Sequence, residues 1–259
     1  MILLALLIGL PAQAATNVDT RTVNYKAGDT ELRGYLAYDG EQEQPRPAVL
    51  VVPEWWGLND YARRRARELA ELGYVALAVD MYGDGKATAD PEQAGVWASQ
   101  ISKNPGLGRA RFMAALQALQ GQQGVDPERV AGIGYCFGGT MVLNMARVGA
   151  ELDGVVSFHG TLPVDGPPAP EQIQAEVLLL HGGADSYVTA TQIADFKRQM
   201  QHAGADFDII TYPGAKHSFT NPAADAVAQK YDLDVGYDAQ AEQQSWLEMR
   251  TFLVRVLGY

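Results

Sequence analysis

Hydrophobic positions along the chain fall into two alternating rhythms. Residues 48–52 read Ala-Val-Leu-Val-Val, an unbroken apolar run with no solvent-facing position, and such runs belong to strands buried on both faces of a sheet. Residues 61–72 then space Leu69 and Leu72 among charged side chains, which is helical spacing, and Gly73 closes that helix before the strand-like run at 74–79. The alternation continues, with a helix expected over 108–119, a turn at Val125-Asp126-Pro127, a strand over 129–135 and a helix over 140–148. Residues 154–158 and 176–180 predict short buried strands, 191–203 a helix and 207–212 a further strand.

Strands alternating with helices predict an α/β fold with a mostly parallel central sheet flanked by helices. Ahead of it, residues 20–25 and 31–38 alternate polar and apolar around Gly28-Asp29, so an N-terminal antiparallel hairpin is expected. Residues 163–170 are proline-dense and read as a surface loop near the site. No repeat or long linker interrupts the pattern, and 15–259 reads as one domain.

Charge narrows the partners. With 20 Lys and Arg against 31 Asp and Glu, the net charge is -11, which excludes nucleic acid and anionic membrane surfaces as natural partners. The one basic run, Arg63-Arg64-Arg65 with Arg67, is interleaved with Glu68 and Glu71 and reads as a solvated helix face. At the front, the apolar run 2–10 is too short to span a bilayer, and Ala12-Gln13-Ala14 fits small-x-small cleavage. Residues 1–14 therefore read as a signal peptide without the usual basic start, which predicts a periplasmic or secreted protein with no stable membrane span after processing. If that segment is mis-assigned, the protein is cytoplasmic.

Cys136 is the only cysteine of the chain, so an internal disulfide is excluded. Its setting, Gly134-Tyr135-Cys136-Phe137-Gly138 between a strand and a helix, has the small flanks that a sharp strand-to-helix turn needs to present a nucleophile. A free thiol titrates at roughly 8.5, so a nucleophilic cysteine requires a base or a positive field. Two further polar clusters follow apolar runs: His181-Gly182-Gly183-Ala184-Asp185, and Pro213-Gly214-Ala215-Lys216-His217. Parallel sheets place ligands at the carboxyl ends of their strands. The order nucleophile, acid, histidine is that of the α/β-hydrolase arrangement.

In that arrangement His217 accepts the thiol proton and returns it to the leaving alkoxide, and Asp185 orients the imidazole. The oxyanion takes backbone N–H donors, from Phe137 and from Trp55 in Pro53-Glu54-Trp55-Trp56-Gly57. His181 reads as a structural hydrogen-bond donor beneath the acid loop. The competing readings are a buried inert thiol at Cys136 and a helix cap at Asp185. Gly132-Ile133-Gly134 lacks the spacing of a dinucleotide turn, and four dispersed histidines give no metal-ligand cluster, so no cofactor and no metal are expected.

The chain resembles the dienelactone hydrolase family of α/β-hydrolases from the opening hairpin to Trp246 and the last helix. The resemblance is carried by Glu54 in Pro-Glu-Trp-Trp-Gly, Asp80-Met81-Tyr82-Gly83, Gly-Tyr-Cys-Phe-Gly-Gly at 134–139, Ser157-Phe158-His159-Gly160, His181-Gly182-Gly183-Ala184-Asp185 and His217-Ser218-Phe219. It implies metal-free hydrolysis of enol lactones or related esters by a Cys-His-Asp triad, with Glu54 helping to generate the thiolate. Trp56, Tyr82, Trp97, His159 and Phe219 are expected to line the pocket. The chain departs from the family in its cations: neither 218–221 nor 90–102 contains an arginine, so the guanidinium clamp for a substrate carboxylate is missing. The reading is thus a general ester or lactone hydrolase acting on a small molecule, as monomer or homodimer. The alternative is a catalytically weak thiol-sensing or ligand-binding protein on the same fold.

Overall fold

The first strands form because alternate side chains have a core to enter. In the computed structural model, which describes residues 17–163, 166 and 168–259, β1 (Val18–Ala27) and β2 (Thr30–Asp39) turn Val23, Tyr25, Leu32 and Leu36 inward. Gly28 adopts φ 58° in the turn between them, a conformation that costs glycine little. The expected signal segment 1–14 lies outside the described residues.

After the hairpin come β3 (Arg46–Val52), α1 (Asp60–Glu71), β4 (Val75–Ala78), α2 (Pro91–Ser102), α3 (Pro105–Gln120), β5 (Val125–Tyr135) and α4 (Phe137–Arg147). The chain continues through β6 (Gly154–Phe158), β7 (Glu176–Gly182), α5 (Ala190–Ala203), β8 (Phe207–Tyr212), α6 (Ala224–Tyr231) and α7 (Ala239–Leu257). All eight strands join one sheet in the order β1-β2-β4-β3-β5-β6-β7-β8. β2 is antiparallel to β1 and to β4, and every other pairing is parallel.

Each face of the sheet has its own core. On one, Leu50 and Val52 pack with Ile101, Phe112, Val142 and Phe196 from α2 to α5. On the other, Val49 and Val51 pack with Ala62 and Leu69 of α1 and Met249 and Leu253 of α7. Covering on both sides is the reason the strands read as continuous apolar runs.

Three features depart from the sequence pattern. α2 begins with Asp90 accepting from Glu92 N–H at 3.0 Å, but it fully buries only Ala94 and Ile101, too few to mark a helical stripe. α6 buries only Ala224. The basic run on α1 is not a uniformly solvated face, because Arg65 is 4% exposed. Its guanidinium pairs with Glu68 and Glu242, donates to Thr220 O at 3.0 Å, and lies over the rings of Tyr135 and Trp246. The i, i+3 and i, i+4 charge pattern was there, but a partner on α7 pulled one arginine inward.

Candidate active site

The elbow at the end of β5 is built by exclusion of side chains. Cys136 sits at φ 52° and ψ -116°, outside the regions that L-residues favour. A Cβ on Gly134 would lie 2.0 Å from Gly138 O, and one on Gly138 would lie 2.1 Å from Val52 O, so only glycine permits this close crossing of β5, α4 and β3. The backbone N–H of Cys136 is shared between Phe158 O at 3.0 Å and His159 Nδ1 at 3.1 Å. The amino end of α4 starts at Phe137, where N–H groups lack intrahelical partners and the helix dipole favours negative charge.

Strands β7 and β8 deliver the other two groups. Gly182 closes β7, where a Cβ would strike Ala215 O at 2.5 Å, and this packs the two loops against each other. His217 Nδ1–H donates to Asp185 Oδ2 at 2.8 Å, and the imidazole lines the same cavity as Cys136. Asp185 accepts a second bond from Tyr187 N–H at 2.8 Å. It does not cap α5, because Thr189 does so with Gln192 as a capping box. Burial disfavours a charged His217, but the Cys136 sulfur and the Asp185 carboxylate outweigh it and push the pKa up from 6.5 to about 10.

Glu54 follows β3 and is 2% exposed. It accepts from Asn221 Nδ2 at 2.6 Å. Burial raises its pKa above 4.5, against the opposing pull of the Asn221 amide, His217 and Ser218. Cys136, Glu54, His217, Trp55 and Trp56 all line one cavity of about 170 Å³, with Tyr187, Asn221, Val227 and Leu233. A wider cavity of about 780 Å³ opens from Cys136 and Trp55 towards α3 and α4, past Phe137, Thr140 and Arg109.

The remaining expected pocket residues lie behind these walls. Neither cavity is lined by Tyr82, Trp97, His159 or Phe219. Tyr82 donates to Trp55 O at 3.0 Å and packs on Phe137 and Trp97, while Asp80 fixes the turn by accepting from Tyr82 N–H and Gly83 N–H at 2.9 and 2.8 Å. Phe219 packs edge-on against His159 with ring centroids 5.2 Å apart. His181 is buried, which lowers its pKa, but its imidazole makes none of the side-chain hydrogen bonds expected of it among the described residues. Sequence reasoning missed Asn221, Val227 and Leu233. The one available signal was Asn221 four residues after His217; α6 gave no readable apolar stripe.

No group of three or more His, Cys, Asp or Glu side chains suited to a metal occurs among the described residues. None of the described helices is long and apolar enough to cross a membrane.

A doubly covered, mostly parallel sheet, a cysteine on a strained strand-to-helix turn, and an Asp-His pair on the loops after β7 and β8 define an α/β-hydrolase. Residues 32–257 match the model of the dienelactone hydrolase family, and the chain belongs to that family, a hydrolase of the lactone- and ester-cleaving class. Among solved structures it is similar to a dienelactone hydrolase-like promiscuous phosphotriesterase from metagenomic libraries, at 36% identity and TM-score 0.87, covering 92% of this chain and 98% of the other. It is also similar to a solved protein named m3DLH, at 39% identity and TM-score 0.86 over 93% and 99% of the two chains. An uncharacterized protein of Caenorhabditis elegans is 37% identical over 149 residues, 56% of this chain and 91% of the relative.

Proposed function

We propose that the protein hydrolyses an ester or lactone through an acyl-cysteine intermediate, with Cys136 as nucleophile, His217 as general base and acid, and Asp185 as the group that orients His217. The reading rests above all on the Asp185–His217 hydrogen bond and on the cavity that His217 shares with Cys136 at the elbow. The Cys136 proton passes to His217, and the sulfur bonds to the substrate carbonyl carbon while the oxygen takes up the electron pair. Backbone N–H groups of Phe137 and Trp55 stabilise that oxyanion. Collapse re-forms the carbonyl and expels the alcohol oxygen, which takes the proton from His217. His217 then removes a proton from water as the water attacks the thioester; the acid is released and the sulfur regains its proton.

Glu54 assists that transfer as the thiol-activating carboxylate: raised by burial, it takes up the Cys136 proton when substrate displaces its partners and passes it on to His217. Residues 1–14 act as an export signal and 15–259 as the single mature domain. The substrate is a small molecule, and no cofactor takes part.

The test is turnover of small aryl esters together with mass spectrometry of the protein. Cys136→Ala is expected to lower kcat by at least about a thousandfold, and a slowly deacylating ester is expected to add its acyl mass at Cys136. An unchanged rate in Cys136→Ala would overturn the mechanism. Prompt alkylation of Cys136 with no ester turnover would favour a thiol-sensing role.

A further inference from the structure

The two cavities that meet at Cys136 differ in one respect that bears on the substrate. His217 lines the smaller one and not the wider one. A departing alcohol oxygen must lie within hydrogen-bond reach of the acid that protonates it, so the alcohol side of the substrate enters the smaller cavity and the acyl side faces the wider one. The smaller cavity is also lined by Ala224 and Val227 of α6, by Leu233 and Val235 just after that helix, and by Trp56. No lysine or arginine lines it, and Glu54 does.

Resting on the proposed acyl-cysteine reaction, we infer that the natural substrate is an ester or lactone whose alcohol part is uncharged and apolar, of about the size of an aromatic ring, and that Val227 and Leu233 determine this specificity. The size follows from the volume: about 170 Å³, where an apolar cavity of about 150 Å³ accepts benzene. The neutrality follows from the walls. A carboxylate carried into this space loses its hydration, meets no guanidinium or ammonium group among the lining residues, finds His217 already paired with Asp185, and faces a second carboxyl at Glu54. Asn221, an amide rather than a cation, is already bound to Glu54 at 2.6 Å.

Two aryl acetates that differ by one methyl group, and hence in the charge of the alcohol part, test this, with release of acetate as the readout: methyl 4-acetoxybenzoate, which is neutral, and 4-acetoxybenzoate, which carries a carboxylate. Each kcat/KM is divided by the rate of the same ester with a free thiol in solution, which removes the difference in leaving-group reactivity. The expected result is a preference of at least about tenfold for the neutral ester. Val227→Arg is expected to shift the ratio towards the carboxylate by at least about fivefold, by supplying the missing cation. Equal or faster turnover of the carboxylate ester by the unaltered protein would overturn the inference while leaving the acyl-cysteine reading intact. Turnover of neither ester would remove both. The comparison on the unaltered protein decides the matter even if the arginine variant fails to fold.

Discussion

The backbone N–H of Cys136 donates to Nδ1 of His159 at 3.1 Å, which fixes the His159 proton on Nε2 and points it at Thr220 Oγ1, 2.8 Å away. One neutral imidazole thereby ties the Cys136 turn to the loop that carries His217. The tie extends outward, since Thr220 Oγ1 lies 2.7 Å from Tyr61 OH and Arg65 donates to both Tyr61 OH and Thr220 O. Burial and the neighbouring His217 hold the His159 pKa well below 6.5.

Replacing His159 is expected to expose that link. His159→Phe removes the imidazole partner of both the Thr220 hydroxyl and the Cys136 N–H and should cost about 1–3 kcal/mol in chemical denaturation. Its effect on turnover should fall mainly on kcat, because the side chain does not line the cavity. The pH dependence carries the sign: a histidine whose folded pKa is depressed contributes full stability above the unfolded value of 6.5 and loses it as pH falls towards the folded one. The unaltered protein should therefore lose stability progressively below pH 6.5, and that component should be missing from the phenylalanine variant.

His217 has the opposite sign. Its pKa is raised to about 10, so its contribution to stability is complete below 6.5 and disappears as pH rises through about 10. Asp185→Asn removes one source of that shift, and its deficit relative to the unaltered protein should shrink between pH 7 and 10 in thermal denaturation. Activity in the same variant should fall by roughly a hundredfold to ten-thousandfold, through loss of the oriented tautomer.

Glu54 depends on Asn221 for the bond at 2.6 Å. Asn221→Leu removes an interaction that lowers the Glu54 pKa, so the carboxyl should hold its proton to higher pH. The acid limb of the pH–rate profile for Cys136 alkylation should move upward by a measurable fraction of a unit. An unmoved limb would show that Glu54 does not act on the thiol.

Gly138→Ala tests the elbow itself. The added Cβ would lie 2.1 Å from Val52 O and 2.6 Å from Pro53 O, both backbone atoms that no side-chain rotation relieves. Destabilisation of at least about 2 kcal/mol is expected in urea titration, with loss of ester turnover in the remaining folded fraction.

The sequence by itself determined the architecture and the strand ends at which Cys136, Asp185 and His217 stand. Runs such as 48–52 are apolar at every position because both faces of the sheet are covered, and that requirement is written locally. The elbow was legible for the same reason: adjacent glycines and one cysteine encode a turn that other residues cannot make. The order of Cys136, Asp185 and His217 was legible because each follows its own strand. Tertiary structure alone decided which polar groups meet. Asn221 reaches Glu54 across 167 residues, Arg65 reaches Glu242 across 177, and His159 reaches Thr220 across 61. No local pattern encodes such pairings; they arise because separate strands end on one side of the sheet and α1 and α7 pack on one face of it, and burial then makes an unpaired polar group costly to leave. The apolar lining has the same origin, since Ala224 and Val227 of α6 join Trp56 around one cavity only in the folded chain.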